Sequence, residues 1–265
     1  MSILICPVCR EKLDVSGKSY ICTNRHSFDI AKSGYINLLL SKHTGKTIHG
    51  DNKLMLQARR DFLNKGFYAP LRDALCEKIT SGIILDAGCG EGYYTSGIKN
   101  ISPDSEIYGI DISKTAVEMA SKCYKNITFS VGSVFNIPVA DCSCDTLVTV
   151  FSPYCSNEFQ RVLKNDGTML MAIPSENHLW ELKQAIYDTP YRNEVKPYEL
   201  DGFLFVDRKR ITYKFRLESQ QDIQSLFSMT PYYYRTGKNQ QEKLSKLENL
   251  EITADFELLT YRRSL

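Results

Sequence analysis

The thirteen residues IILDAGCGEGYYT, from Ile83 to Thr95, limit the fold of this chain more than any other stretch. A short apolar run breaks there into three alternating glycines, Gly88, Gly90 and Gly92, and then into residues that suit a helix. Glycine reaches positive backbone torsions and lets the main chain approach a ligand where any Cβ would collide. A strand that ends in such a turn and re-enters as a helix opens a βαβ unit. The pattern then repeats. EIYGIDIS reads as a second strand, KTAVEMASKCY as a helix, NITFSVGS as a third strand and CDTLVTVFSP as a fourth. NEFQRVLKNDG is a helix with a turn, and TMLMAIP a fifth strand. Parallel neighbours need crossover connections, so this alternation predicts an α/β fold with a doubly wound, Rossmann-like sheet.

The flanks are less regular. Ahead of the sheet, NKLMLQARRDFLNKG carries an apolar stripe (Leu54, Leu56, Ala58, Phe62, Leu63), with Asp51 as N-cap and Gly66 as stop. A second helix follows Pro70. From about 175 to 240 the alternation breaks down: a helix (HLWELKQAIYD), a Tyr-rich polar stretch, FLFVDRKRITYKFRL read as an antiparallel pair, and a helix ending at Met229-Thr-Pro231. LEITADFELLTYRR reads as a final strand.

A dinucleotide fingerprint would need glycine where Tyr93 stands. The D-x-G-x-G-x-G that begins at Asp86 instead resembles the turn of methyltransferases that bind S-adenosylmethionine. In that reading the turn from Gly88 to Gly92, Glu91 included, faces the methionine part, and Asp86 holds the turn or, through its neighbours, the ammonium. Asp111, 19 residues after Gly92 at the end of the second strand, can accept both ribose hydroxyls. GSVFNIPVADCSCD resembles the adenine-lining segment of such enzymes, but Ser133 stands at their usual acid. Adenine recognition then falls to backbone groups or to Asn136. The bland alternative is a glycine turn needed only for packing.

A second constellation opens the chain. Cys6-x2-Cys9 and Cys22-x3-His26 are two ligand pairs separated by a 12-residue spacer. Each pair fits a tight turn, and together they complete a tetrahedral Cys3His set for zinc. With no fifth ligand nearby the site is closed and structural. A stretch this small cannot fold on apolar burial, so ligation supplies the stabilisation. The expected plan is a zinc-binding module over 1–40, a linker and helices over 41–80, and a methyltransferase domain over 81–265. In the linker SKHTGKTIHGD, the GKT lacks the glycine that a phosphate loop needs at Leu40, and His43 and His49 read as linker residues.

Nine cysteines, an odd count, point with the length of the chain to a reducing compartment, the cytoplasm, rather than to disulfides. Cys76, Cys89, Cys123, Cys142, Cys144 and Cys155 read as small buried thiols. No apolar run approaches the ~18–20 residues of a membrane span. The charge is uneven: residues 1–72 carry 12 Lys/Arg against 5 Asp/Glu, and the remainder 21 against 26. A basic N-terminal third suggests a polyanion met from that side.

Taken together, CPVC, YICTNRHSFDIAKSGYINLL, GDNKLMLQARRDFLNKGFYAPL, LDAGCGEGYYT, HLWELK and SMTP resemble the RlmA-type methyltransferases, from the first cysteine to at least Pro231. That family methylates N1 of a guanine in a hairpin of 23S ribosomal RNA, and some members protect ribosomes from tylosin-type macrolides. The resemblance implies zinc at Cys6, Cys9, Cys22 and His26, and S-adenosylmethionine at the Gly88–Gly92 turn. It also implies two cofactor contacts outside the turn, Tyr68 and His178. It leaves open a homodimer, the guanine modified and the general base.

Reaching guanine N1 requires an unpaired or extruded base. Phe151 and Tyr154, after the fourth strand, are candidates to stack on it, with Tyr232–Tyr234 weaker ones. Two competing readings are a small-molecule methyltransferase with a purely structural zinc module, and a non-catalytic ribosome-binding protein. Under the rRNA methyltransferase reading the module is instead an RNA-recognition head. Cys22→Ser is then expected to abolish RNA binding while cofactor affinity largely survives.

Overall fold

The computed structural model describes residues 2–40 and 52–264. The 41–51 linker, with His43, His49, the GKT and the Asp51 cap, lies outside the described residues. Two sheets organise the chain. The smaller is an antiparallel ribbon of β1 (Leu13–Ser16), β2 (Ser19–Cys22) and β3 (Ser27–Asp29). The larger has eight strands: β4 (Ile36–Asn37), β5 (Ile83–Ala87), β6 (Glu106–Asp111), β7 (Thr128–Val131), β8 (Cys144–Val150), β9 (Leu163–Pro174), β10 (Phe203–Leu217) and β11 (Leu250–Arg263). Their order is β10-β11-β9-β8-β5-β6-β7-β4. Strands β4 to β9 run parallel to one another, whereas β11 is antiparallel to both β9 and β10. The order reverses beside β5, so the crevice for a ligand falls at the carboxyl ends of β5 and β8.

A parallel sheet must be covered on both faces. One face is covered by helices: α1 (Lys53–Asn64), α2 (Ala69–Cys76), α3 (Tyr93–Ile101), α4 (Lys114–Cys123), α6 (Trp180–Ile186) and α7 (Gln220–Ser228). Ile84, Ile107, Val148, Leu170 and Leu258 point into that layer. The other face presents Leu85, Ile110, Leu147, Met169 and Leu259, and there the cover is different. α5 (Ser156–Val162) contributes Phe159 and Val162, but the 132–143 connection from β7 to β8 contains no helix. The zinc-ligand module fills that position. Ile3, Leu4, Leu13 and Cys22 join the same buried cluster as Leu85 and Ile110.

Backbone bonds stitch the module in place. The Ile5 N–H donates to the Pro138 carbonyl (3.0 Å), Ala140 N–H to Ile3 (2.9 Å) and Leu38 N–H to Val131 (2.9 Å). Strand β4 extends the main sheet beyond β7. At about 1.5–3 kcal/mol for each fully buried aliphatic side chain, Ile3, Leu4 and Leu13 alone make this docking a substantial part of the core.

Some sequence expectations need correction. FLFVDRKRITYKFRL is one 15-residue strand rather than an antiparallel pair. It holds no glycine or proline to turn on, and a bulge between Phe205 and Asp207 absorbs the irregularity. The observed N-cap of α1 is Asn52, whose side chain accepts from the Met55 N–H at 3.0 Å. β9 begins at Leu163, five residues before the TMLMAIP run. Of the six scattered cysteines only Cys89 and Cys144 are buried. Cys123 and Cys142 are exposed, beside Arg60 and Arg263 respectively. No described helix is long and apolar enough to cross a membrane.

Candidate cofactor cavity and metal centre

The four zinc-ligand candidates converge. Their donor atoms all lie within 4.8 Å of one another. Each pair sits on a turn closed by its own backbone: the Arg10 N–H donates to Cys6 O, and the Arg25 N–H to Cys22 O, both at 2.8 Å. Arg10 and Arg25 occupy the left-handed region that such tight turns demand (φ 67° and 62°). The separations are diagnostic. A tetrahedral ion with bonds of about 2.3 Å to sulfur and 2.0–2.1 Å to nitrogen sets ligand atoms roughly 3.5–3.8 Å apart. Cys9 Sγ and Cys22 Sγ stand 3.7 Å apart, Cys6 Sγ and His26 Nδ1 3.6 Å, and Cys22 Sγ and His26 Nδ1 3.4 Å. The donor set therefore fits zinc, held for structure.

The second site is a cavity of 820 Å³ at the carboxyl ends of β5, β6 and β8, within the size range of cofactor pockets. Its floor is the glycine turn. The N–H groups of Gly88 and Cys89 both donate to the Ile110 carbonyl, at 2.8 and 3.0 Å. Asp111 braces the rim: one carboxylate oxygen accepts from the Gly90 N–H (3.0 Å) and the other from the Ser113 N–H (2.8 Å). Gly88 adopts φ 91°, and a Cβ there would lie 2.1 Å from the Ser152 hydroxyl oxygen. Only glycine lets β5 turn beneath the segment that follows β8.

Tyr68, Gly88, Gly90, Glu91, Asp111, Phe151 and His178 all line this cavity. Gly92, in the left-handed conformation, caps α3 behind the wall. Asp86 lies beneath the turn, where it accepts a 2.6 Å hydrogen bond from the Thr95 hydroxyl. Burial raises its carboxyl to about 7, against the opposing pull of that bond. Asn136 is exposed and turns toward the ribbon, accepting from Arg10 at 3.4 Å. Tyr154 packs edge-on against Phe159 and Phe203, with its hydroxyl toward the Asp201 carbonyl. Among the weaker aromatic candidates, Tyr232 lines the cavity, Tyr233 packs on Phe227, and Tyr234 reaches Asn52.

His178 and Tyr68 form a buried pair whose proton positions follow from their partners. The Asp255 N–H donates to His178 Nδ1 at 3.4 Å, so that nitrogen carries a lone pair. Burial lowers the imidazole to about 3, so the ring is neutral and its hydrogen sits on Nε2. Nε2 then donates across 3.3 Å to the Tyr68 hydroxyl oxygen. Tyr68 keeps its own proton, its ionisation pushed well up by burial, and presents it as a donor at the cavity wall. Asp255 anchors the arrangement by accepting from Arg210 through both oxygens and from the Asn177 N–H.

Several wall residues escaped the sequence reading. Tyr94 lines the cavity, and its buried hydroxyl has no hydrogen-bond partner among the described residues. An unmet buried hydroxyl costs about 1–3 kcal/mol, which a polar group of a bound ligand would recover. Arg59 of α1, Ser152 and Thr230 complete the wall from three separate elements. The only signal for Tyr94 was its place two residues beyond the last glycine. Phe151, 45% exposed at φ 54°, is a strained aromatic at a cavity mouth, a combination that marks functional sites.

This geometry has counterparts among known proteins. Residues 4–44 match the family described as "RlmA, N-terminal", and residues 80–229 match a methyltransferase domain family. A Bacillus subtilis (strain 168) protein named "Putative 23S rRNA (guanine-N(1)-)-methyltransferase YxjB" is 34% identical over 97% of this chain and 96% of its own. The Streptomyces fradiae 23S rRNA (guanine(748)-N(1))-methyltransferase is 31% identical, over 69% of this chain and 67% of its own. The crystal structure of the Bacillus YcgJ protein superposes on 75% of this chain and 99% of its own, with a TM-score of 0.51 at 15% identity, a likeness of fold. Methyltransferases of this class use S-adenosylmethionine, and the cavity and the Cys3His cluster accommodate that cofactor and one zinc ion. With a zinc ribbon docked on a class I methyltransferase sheet, and a relative matched along nearly its whole length, this chain belongs to the RlmA-type 23S rRNA (guanine-N1)-methyltransferase family.

Proposed function

We propose that this enzyme methylates N1 of a guanine in a hairpin of 23S rRNA, in the cytoplasm. The observation that carries the reading is the end-to-end match to a relative named for that reaction, ribbon and catalytic domain together. A small-molecule methyltransferase needs the second part alone.

In this reading S-adenosylmethionine, when bound, supplies an already activated methyl group. What the chain provides is mainly alignment. The Gly88–Gly92 turn, with Glu91, would hold the methionine part, and Asp86 and Thr95 brace the turn from beneath. Asp111 would take the ribose hydroxyls, and the loop that carries Ser133 and Asn136 would serve the adenine. The Tyr68 hydroxyl donates a hydrogen bond to the cofactor, and His178 fixes its direction. Phe151 at the mouth stacks on the extruded base, and Tyr154 supports that segment from behind. His178 is neutral with both ring nitrogens engaged, so the proton that leaves guanine N1 goes to another group.

The test incubates the protein with methyl-labelled cofactor and unmodified 23S rRNA, tRNA or a mixture of small-molecule acceptors. Label in 23S rRNA alone supports the proposal, and label only in tRNA or a small molecule overturns it. The same reading extends to tylosin-type macrolides: cells carrying the active protein should tolerate a higher dose than cells carrying a Gly88→Ala form.

A further inference from the structure

A second concavity lies where the ribbon meets the catalytic domain, a groove of about 540 Å³ between the turn that follows β3 and the outer face of α4. Four lysines line it, Lys32, Lys114, Lys122 and Lys125, against one carboxylate, Glu118. On α4 the positions 114, 118 and 122 recur every four residues and form one stripe, roughly 12 Å long at 1.5 Å per residue. The turn that presents Lys32 is held rigidly. The Gly34 N–H donates to Ala31 O and the Ala31 N–H to Tyr35 O, both at 2.8 Å, and Lys125 Nζ donates to Ser33 O at 3.0 Å.

The charge in this groove is largely uncompensated. Glu118 pairs with Lys122 at 2.6 Å on the exposed helix surface. Neither Lys32 nor Lys114 has a carboxylate within 4 Å among the described residues. Elsewhere on the ribbon, Arg10 and Lys12 answer to Asp141 and Asp14. The first turn of α4 also connects this groove to the site already described: Ser113 and Ala116 line the cofactor cavity, while Lys114 between them faces the groove. Beyond pairing distance, Lys114 and then Lys53 of α1 also act on Glu118, the one carboxylate shared by the groove, and Arg60 of α1 contacts Cys123 at the end of α4. The positive band thus runs from the ribbon turn across α4 to the helix that carries Arg59 into the cavity wall.

We propose that this groove is the seat for the phosphates of the RNA substrate, with Lys32 and Lys114 as its principal contacts. The proposal rests on the rRNA reading above. A run of ammonium groups matches the regular negative charge of an RNA backbone, and such contacts position a substrate without reading its sequence. The ribbon supplies one wall and the catalytic domain the other, so phosphate binding fixes the RNA relative to the cavity. RNA recognition is then a property of the junction rather than of the ribbon alone.

The test uses the zinc-loaded, full-length protein and a 23S rRNA transcript. Lys32→Glu/Lys114→Glu is compared with Lys196→Glu, an exposed lysine near the opposite, β10 edge of the sheet. RNA affinity is measured between 50 and 200 mM salt, and cofactor affinity by calorimetry. The double variant should bind RNA at least tenfold more weakly, with the salt slope reduced by about two and cofactor affinity unchanged. Lys196→Glu should change neither. Equal RNA affinity and slope in the double variant and the wild type would overturn the groove while leaving the rRNA reading intact. A loss in Lys196→Glu of at least half that of the double variant, in log affinity, would match its half-sized charge change, reduce the groove to a net-charge effect and also overturn it. A wild type that binds 23S rRNA no better than unrelated RNA, and methylates none of it, would remove both.

Discussion

The zinc ribbon and the glycine turn sit on the same sheet but are built in opposite ways. The ribbon's geometry is local: two turns of four or five residues bring Cys6, Cys9, Cys22 and His26 to tetrahedral separations. The cavity's geometry is remote: Tyr68 precedes β5, Asp111 ends β6, and His178 follows β9, yet all three line one cavity. A local site can be read from spacing. A remote one is assembled only when the strand order is fixed.

What joins them is coverage of the sheet. The β7–β8 connection brings no helix, so Leu85, Ile110 and Leu147 are buried by the ribbon instead. This revises the expectation that the ribbon is a head separable from the catalytic fold. Removing zinc should have the largest effect of any change. Ligation free energy on the order of 10 kcal/mol is comparable to the whole stability of a domain. Chelation, or Cys22→Ser, should lower the melting midpoint of the entire protein in one transition and reduce cofactor and RNA affinity together. Two separate transitions, with cofactor affinity kept, would restore the independent head.

The glycine turn should be sensitive without being global. In Gly88→Ala the new methyl meets Ser152 and the residue is held at φ 91°, costing about 1–3 kcal/mol of stability. Cofactor affinity should fall by roughly 100-fold or more, equivalent to about 3 kcal/mol, by calorimetry. Adding Ser152→Gly should recover part of the loss, by removing the clash but not the backbone strain. Full recovery would mean that conformation matters less than space.

The Tyr68–His178 pair gives a smaller, directional test. Tyr68→Phe removes the donor at the wall and leaves His178 Nε2 without its acceptor, so cofactor affinity should drop by roughly tenfold. His178 is depressed to about 3, so its contribution is present above the unfolded value near 6.5 and is lost as pH falls toward 3. Denaturant unfolding from pH 7 to 4 should show the advantage of wild type over His178→Gln shrinking by up to about 1.4 kcal/mol per pH unit. An advantage that grows on acidification would contradict the buried neutral imidazole. Phe151→Ala should be the mildest for stability, under about 1 kcal/mol at a half-exposed ring, while raising the KM for RNA.

Legibility followed the same division. The strand–helix alternation, the turn and the zinc set were visible because each depends on residues close in sequence. FLFVDRKRITYKFRL was misread because edge-strand exposure along β10 mimics the polarity of a hairpin, and nothing local announces that β11 will pair with its full length. Ser152 and Arg59 gave no signal, and Tyr94 only its nearness to the glycine turn, because a wall residue is defined by what faces it across the cavity. Asn136 and Tyr154 were placed by likeness to other methyltransferases. Here their side chains turn toward Arg10 and Phe159, contacts that no local pattern announces.

The most direct measurement is reverse transcription across 23S rRNA treated with the protein and S-adenosylmethionine. A methyl on guanine N1 occupies the Watson–Crick edge and arrests the polymerase one base before it. The account predicts one strong, cofactor-dependent stop at a guanine within a hairpin, absent with Gly88→Ala. Methyl incorporation into the same RNA without any stop, or a stop that persists without cofactor, would contradict it.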